Sequence, residues 1–188
     1  MIEKDGIRVD LGEFNNVVEN VMNNYKNTYI DDIHKKELWN RRFLELSDFI
    51  SEWSKDPSTK VGAVIVDSNR RIVSTGYNGL PIGVVDDKDR LEDREKKYKM
   101  ILHAEENAIM FSRRDLSGCS LYVSSLPPCS HCASLIIQSG IKDVYVWDSV
   151  VPERWKESLK MTETMFEEAG VRLHRIQKKE EVKVSHSM

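Results

Sequence analysis

The fold is decided between residues 104 and 147, which read AEENAIMFSRRDLSGCSLYVSSLPPCSHCASLIIQSGIKDVYVW. Within this stretch, 104–111 and 133–138 have the composition and spacing of helices. Residues 120–124 and 143–147 are short apolar and aromatic runs typical of buried strands. Because helices alternating with strands are characteristic of layered α/β architectures, we expect an α/β fold.

Upstream of this stretch, the sequence predicts two strands and two helices. Runs 61–66 and 71–76 are rich in β-branched residues and are separated by turn residues, which indicates two strands joined by a tight turn. Apolar residues at helical spacing in 39–53 predict a helix that covers the sheet and ends before Pro57. A further stripe within 1–37 predicts an amphipathic helix, and it consists of Phe14, Val17, Val18, Val21, Met22 and Tyr25.

The C-terminal part of the chain completes the predicted domain. One more amphipathic helix is indicated by the spacing of Trp155, Leu159, Thr162, Phe166 and Ala169. Gly170 follows in the position favoured just beyond a helix, and alternation through Leu173 predicts a closing strand. We therefore predict a helical extension in 1–37, a domain in 38–176 and a polar tail in 177–188.

The segment 86–99 is almost wholly charged, and two interpretations of it stay open. It is either a solvated loop or helix surface, or a gate or regulatory insert beside a functional site.

Composition narrows the possible partners. The 188 residues include 28 basic and 31 acidic side chains, a net charge of −3, and no apolar run long enough to span a membrane. The short basic clusters at 113–114 and 178–179 are too sparse for a cationic nucleic-acid channel, whereas a pocket for a small phosphorylated ligand needs only one or two cations. No secretory signal pattern is present, so we expect a cytoplasmic protein. Three cysteines, an odd number, are a poor disulfide framework, so metal binding and catalysis are the roles to consider for them.

Two short motifs carry the candidate chemistry: His103-Ala104-Glu105 and Pro128-Cys129-Ser130-His131-Cys132. Each starts a predicted helix, and positions i and i+3 of a helix share a face, so the two cysteines can bind one ion. With His103 as third ligand, one tetrahedral position stays open, as in catalytic zinc sites. Zinc-bound hydroxide would then be the nucleophile, with Glu105 as the proton shuttle. A redox dithiol is an alternative for the cysteine pair, but it gives His103 and Glu105 no role.

The combination of H-x-E with P-C-x-x-C is the signature of zinc-dependent nucleobase deaminases. Together with five further stretches, it makes the chain resemble the deoxycytidylate (dCMP) deaminase family, within the cytidine/deoxycytidylate deaminase superfamily. These stretches are SKDPSTKVGAVIV at 54–66, GYNGLP at 76–81, HAEENAI at 103–109, GCSLYV at 118–123 and LIIQSGIK at 135–142. The resemblance implies a three-layer fold with a mixed sheet of about five strands flanked by helices.

The resemblance also implies an activity, hydrolysis of dCMP to dUMP and ammonia in pyrimidine deoxyribonucleotide biosynthesis. It implies one zinc per chain, a sugar contact from Asn78 and a base contact from the Ala104 backbone. Lys60, Ser58 and Arg114 are candidates near the phosphate or the site entrance. Members of the family are commonly hexamers, activated by dCTP and inhibited by dTTP with Mg²⁺, so a regulated homo-oligomer is expected.

Several features keep alternatives open. The connection 123–129 is one residue longer than is usual in the family, so the substrate could instead be a nucleoside, a modified cytosine nucleotide or a base in nucleic acid. A non-catalytic zinc-binding module is the alternative from another class. Segment 86–99 contains no cysteine, so a second, structural zinc is not expected. Cys119 is predicted to be a buried structural thiol, and His131 to point off the face that the two ligand cysteines share.

Overall fold

The computed structural model describes residues 2–4, 7–9 and 11–178, and the chain divides into two compact units, Met1–Trp39 and Asn40–Met188. The first unit contains a hairpin of strands β1 (Ile2–Lys4) and β2 (Ile7–Val9), which pair antiparallel. Helix α1 (Leu11–Ser51) then runs for 41 residues from the first unit into the second.

The structure therefore joins into one helix the two helices that the sequence predicts separately. Of the predicted N-terminal stripe, the side chains of Val21 and Met22 are exposed, and the side chains of the other four are not among those that the structure describes. The predicted tail also lies largely outside them, because the described chain ends at residue 178. The predicted limits of the extension, domain and tail stay predictions.

The second unit is built on a five-stranded mixed sheet in the order β4-β3-β5-β6-β7. Its strands are β3 (Gly62–Val66), β4 (Ile72–Tyr77), β5 (Ser120–Val123), β6 (Asp143–Trp147) and β7 (Arg172–Ile176). Strand β3 is antiparallel to both β4 and β5, whereas β5, β6 and β7 are parallel. The strands that the sequence predicts are confirmed, as is the α/β class.

Helices cover both faces of this sheet. One face packs on α4 (Ala104–Ser112), α5 (Ser130–Gln138) and α6 (Glu153–Ala169) through a buried apolar core, which includes Ala63, Ile65, Leu121, Val123, Val144 and Val146. On the other face the end of α1 reaches the sheet, where Tyr122 donates to Asn40 Oδ1 at 2.9 Å and Trp147 Nε1 to Asp48 Oδ2 at 3.0 Å. The domain is thus three-layered, as expected.

Two glycines allow the helices to lie this close. A Cβ added to Gly76 in β4 would lie 2.3 Å from the Ala104 carbonyl oxygen in α4. A Cβ added to Gly62 in β3 would lie 2.1 Å from the Ser47 carbonyl oxygen in α1. Because both distances are far below ordinary contact, only glycine fits at these two crossings.

The charged segment forms two short helices, α2 (Lys88–Glu92) and α3 (Arg94–Met100). Their N-caps are Asp87 and Asp93, whose carboxylates accept backbone N–H groups of the first turn. Leu91 and Lys97 are buried, so this segment is more than a solvated surface. Within the part of the chain that is described, every helix is too short or too polar to cross a bilayer.

Candidate active site

The first two functional side chains stand at the N-termini of α4 and α5. His103 and Cys129 are the N-cap residues of these helices and have extended backbone conformations. Neither side chain makes a capping hydrogen bond; at α4 the carboxylate of Glu106 instead accepts the His103 backbone N–H at 2.5 Å. The imidazole and the thiol are thereby left free to face each other, and Cys132 joins them from the first turn of α5.

The three side chains form a candidate metal-ligand set. His103 Nδ1 lies 3.2 Å from Cys132 Sγ and 3.5 Å from Cys129 Sγ, and all three ligand atoms lie within 4.8 Å of one another. Tetrahedral zinc, with bonds of about 2.3 Å to sulfur and 2.0 Å to nitrogen, separates its ligand atoms by about 3.5–3.8 Å. One nitrogen and two sulfurs at these spacings are the donors that zinc prefers, so the residues fit this ion.

Electrostatics within the set prepares it for a cation. The thiol of Cys132 donating to the Cys129 sulfur, assisted by His103, lowers the pKa of Cys129 to about 3 against the opposing effect of burial. Its hydrogen bond to Cys129 raises the pKa of His103 to about 9. The pKa of Cys132 is raised above its ordinary value, mainly because its thiol donates to Cys129 and also because it is buried. These interactions favour the thiolate at Cys129, and a bound cation would favour loss of the Cys132 proton as well.

Glu105 is a buried carboxyl group beside the ligand set. Its side chain is 4% exposed, and burial raises its pKa to about 7, while the nearby positive charge of His103 opposes that rise. A carboxyl group whose pKa lies near neutrality can both accept and donate a proton at physiological pH. Glu105 therefore has the property that the sequence predicts for a proton shuttle.

A cavity that is partly open to solvent lies beside these residues. Its walls combine apolar side chains with a few polar groups, as is usual in small-molecule sites. The cavity is lined by His103, Ala104, Glu105 and Cys129 at the ligand set, by Asp56, Ser58, Thr59, Val61 and Asn78, by Lys97, Tyr98 and Ile101, by Leu126, Pro127 and Pro128, and by Val151, Arg154, Trp155, Ser158 and Leu159. It is therefore the candidate substrate cavity.

The structure brings together most of the residues singled out from sequence. His103, Glu105, Cys129 and Cys132 cluster, and Ala104, Asn78 and Ser58 line the same cavity. Lys60 and Arg114 do not line it. The ammonium of Lys60 pairs with Glu52 at 3.2 Å, and Arg114 Nε donates to the Asp115 carbonyl at 3.3 Å.

Asn78 is held firmly in the cavity wall. Its Oδ1 accepts the Val61 backbone N–H at 2.8 Å, and its Nδ2 donates to the Thr59 carbonyl at 2.9 Å and to Asp56 Oδ2 at 3.4 Å. Since an amide oxygen accepts two hydrogen bonds, Oδ1 keeps one site for a ligand hydroxyl. Asn78 thus orders the loop around it and retains one acceptor position.

The predictions for the remaining cysteine and for His131 are confirmed. Cys119 is buried at the start of β5, where burial raises the pKa of its thiol. His131 points away from the ligand set, and its Nε2 lies 3.1 Å from Glu106 Oε1. Because Glu106 also accepts the His103 backbone N–H, it links the N-terminus of α4 to that of α5.

Sequence reasoning missed the cavity residues supplied by α3 and α6. Lys97 and Tyr98 come from the charged segment, and Arg154 and Trp155 from the start of α6. The rings of Tyr98 and Trp155 meet edge to face at 6.5 Å between centroids. A signal existed in Tyr98 and Ile101, which are spaced i, i+3 and lead directly to His103.

Comparisons with known proteins agree with this site. Residues 37–148 match the family model of the cytidine and deoxycytidylate deaminase zinc-binding region. The chain is 49% identical over 135 residues to an uncharacterized deaminase in the luxG 3′ region of Aliivibrio fischeri, covering 71% of this chain and 90% of that protein. It is 40% identical over 144 residues to the deoxycytidylate deaminase of Pongo abelii, covering 71% of this chain and 76% of that protein. The dCMP deaminase of cyanophage S-TIM5 in complex with dCMP and dUMP has a TM-score of 0.56 at 26% identity, covering 72% of this chain and 94% of that one.

Proposed function

The chain belongs to the cytidine and deoxycytidylate deaminase family, and from that premise we propose that it hydrolyses dCMP to dUMP and ammonia. The observation that carries the chemistry is Glu105, buried beside the ligand set of His103, Cys129 and Cys132 in one cavity. The names of the Pongo abelii and cyanophage S-TIM5 relatives support dCMP as the substrate.

We propose that His103, Cys129 and Cys132 hold one zinc ion per chain. When bound, zinc makes a water molecule nucleophilic at neutral pH by lowering the pKa of that water. With three protein ligands, a tetrahedral zinc would keep one position for water, and His103 and Cys129 line the cavity from which that water would act. A fully closed, structural site would need a fourth protein ligand, and among the described residues the set has three.

Glu105 moves the protons of the reaction. It takes a proton from the water that attacks C4 of cytosine and delivers it to N3, and it then passes the proton of the new C4 hydroxyl to N4. The C4–N4 bond breaks with release of ammonia as the C4 carbonyl forms. Its burial excludes competing water, which strengthens its interaction with the base. A zinc-binding module without catalysis has no use for a buried carboxyl group whose pKa is near 7.

Substrate binding follows from the groups that line the cavity. The free acceptor position of Asn78 Oδ1 suits a sugar hydroxyl, and the backbone of Ala104, at the start of α4, suits the edge of the base. Hexamer formation, activation by dCTP and inhibition by dTTP with Mg²⁺ stay predictions that rest on the family resemblance.

A substrate panel tests this proposal. Purified protein is incubated with dCMP, CMP, deoxycytidine and a cytosine-containing oligonucleotide, with and without dCTP, and ammonia release is measured. We expect the highest kcat/KM with dCMP. Higher activity on deoxycytidine or on the oligonucleotide would contradict the proposed substrate, while leaving the deaminase chemistry in place.

Replacing Glu105 by Gln tests the chemistry separately. The amide has nearly the same shape but cannot shuttle protons, so we expect zinc content to stay near one per chain and turnover to fall by about 10²–10⁴-fold or more. Cys129→Ser should instead lose the zinc. A Glu105→Gln variant with near-normal kcat would exclude Glu105 as the proton shuttle.

A further inference from the structure

Lys97 is a buried cation in the wall of the candidate active site. It lies in α3, within the charged segment, yet it is only 5% exposed and lines the same cavity as Glu105. Its Nζ lies 2.9 Å from Asp56 Oδ1, and Asp56 is 4% exposed. A buried ion pair is maintained only where further hydrogen bonds compensate for its desolvation. The hydrogen bonds of each partner therefore indicate which of the two charges is still available to a ligand.

The Asp56 carboxylate is saturated by the protein itself. Besides Lys97, its Oδ1 accepts the Ser58 N–H at 2.8 Å, the Ser58 hydroxyl at 2.8 Å and the Thr59 N–H at 3.2 Å. Its Oδ2 accepts from Asn78 at 3.4 Å. Burial alone would raise the pKa of Asp56, but these bonds, with that from Lys97 first, hold it below its ordinary value. Asp56 therefore fixes the loop and anchors Lys97.

The ammonium of Lys97, by contrast, keeps a spare donor. It has three N–H groups, of which one goes to Asp56 and one to Ser58 Oγ at 2.5 Å. Ser58 has no such reserve, because its hydroxyl and its backbone N–H both donate to Asp56. Lys97 is thus the cation in this corner of the cavity that can still donate to a ligand.

The charge of the cavity points to the chemistry of that ligand. Apart from His103, the basic residues that line it are Lys97 and Arg154. Arg154 is exposed, with its guanidinium 5.9 Å from the centre of the Trp155 ring, so solvent and salt screen its charge. A desolvated ammonium acts more strongly on an anion that enters the cavity.

We propose that Lys97 binds the 5′-phosphate of the substrate and thereby selects nucleotides over nucleosides. This inference rests on the proposed function, since it assigns the phosphate subsite of the same active site. Asp56 and Ser58 are positioning residues that hold the ammonium in place. The charged segment then serves as the specificity element of the enzyme.

The test compares dCMP with deoxycytidine in matched variants. Because a hydrogen bond to a charged group contributes about 1.5–3 kcal/mol, Lys97→Met should lower kcat/KM for dCMP by about 10- to 150-fold. It should leave kcat/KM for deoxycytidine within about threefold. Lys99→Met, an exposed lysine of the same helix, is the control and should change neither.

Loss of Lys97 also leaves a buried carboxylate without its ion-pair partner, which could unfold the protein for an unrelated reason. The double variant Asp56→Asn, Lys97→Met removes both charges and should show the same loss of preference for dCMP. Asp56→Asn alone keeps the ammonium and should retain more of that preference than the double variant. Equal losses for dCMP and deoxycytidine in both Lys97 variants would overturn the inference, because they would indicate a structural role.

Binding of the product gives a readout that is independent of turnover. In calorimetry, Lys97→Met should weaken the binding of dUMP by the same factor and leave the affinity for deoxyuridine unchanged. An unchanged affinity for dUMP would overturn the assignment. The two proposals fail in different ways. A wild-type protein that prefers deoxycytidine contradicts the proposed substrate, whereas wild type that prefers dCMP while Lys97→Met keeps that full preference contradicts only the role of Lys97.

Discussion

Gly76→Ala should damage the active site through the packing of one strand on one helix. The new Cβ would lie 2.3 Å from the Ala104 carbonyl oxygen and 2.4 Å from the Ala108 nitrogen. Ordinary contact begins near 3.4 Å, so β4 and the first turn of α4 must separate by about 1.1 Å. That turn carries Glu105, and it follows directly on His103.

The expected magnitudes follow from this displacement. Overpacking of this kind costs about 1–3 kcal/mol in the free energy of unfolding, which lowers the melting temperature of a chain this long by about 2–12 °C. Moving a catalytic group by about 1 Å costs about 10²-fold in rate. We therefore expect Gly76→Ala to lower kcat/KM for dCMP by about 100-fold, measured per bound zinc, in addition to its loss of stability.

Two other glycines provide the controls. Gly62→Ala creates an equally short contact, 2.1 Å from the Ser47 carbonyl oxygen, but on the face of the sheet that α1 covers. It should lower the melting temperature similarly and reduce kcat/KM by less than tenfold. Gly79→Ala meets its nearest atom, in the Tyr77 ring, at 3.9 Å and should be neutral. Equal losses of activity in the variants of Gly62 and Gly76, or full activity in Gly76→Ala, would refute the reasoning.

Two further predictions concern stability. Thr162, fully buried in α6, donates to the Pro128 carbonyl at 3.0 Å. Thr162→Val should therefore lower the free energy of unfolding by about 1–3 kcal/mol, and Thr162→Ser, which keeps the hydroxyl, by less. A higher melting temperature for the valine variant than for the serine variant would contradict this. The hydrogen bond from Arg172, aided by His174, lowers the pKa of Asp143 against burial. The stability that Asp143 contributes is therefore present above its unfolded pKa of about 3.9 and lost as pH falls through the lower folded value. The stability difference between wild type and Asp143→Asn, from urea midpoints between pH 3 and pH 6, should shrink below about pH 4, and a constant difference would exclude this linkage.

The sequence predicts the elements of the domain well where local pattern and tertiary role agree. Strands β3 and β5 are buried on both faces, so their apolar runs are uninterrupted, and α6 shows its single buried stripe clearly. Helix α1 was predicted as two helices because its apolar pattern is weak between 26 and 38. The hairpin of β1 and β2 was missed, since strands of three residues leave almost no periodic signal.

The chemistry of the site was predictable for a different reason. A histidine and two cysteines with a neighbouring glutamate are rare residue types at fixed spacings, and such a set indicates a metal site before any fold is known. The residues that line the rest of the cavity could not be predicted in this way, because the burial of a lysine depends on which partner the fold brings to it. Lys97 looks like any other cation of a charged segment until Asp56, 41 residues earlier, is brought within 2.9 Å of it. Lys60 lies within the stretch 54–66 that carries the family resemblance, but its ammonium pairs with Glu52 outside the cavity.

These observations separate the site into two parts with different origins. The ligand set and Glu105 belong to the N-termini of α4 and α5, which the sheet holds through buried backbone contacts such as that of Gly76. Another part of the cavity wall comes from α3 and α6, which meet through the rings of Tyr98 and Trp155. Because the three candidate ligands lie outside α3 and α6, substitutions in these helices should alter substrate choice while the ligand set stays complete. Substrate preference can therefore change within such a fold while the hydrolytic chemistry is retained, and under the proposed role of Lys97 the charged segment is where this chain would set its specificity.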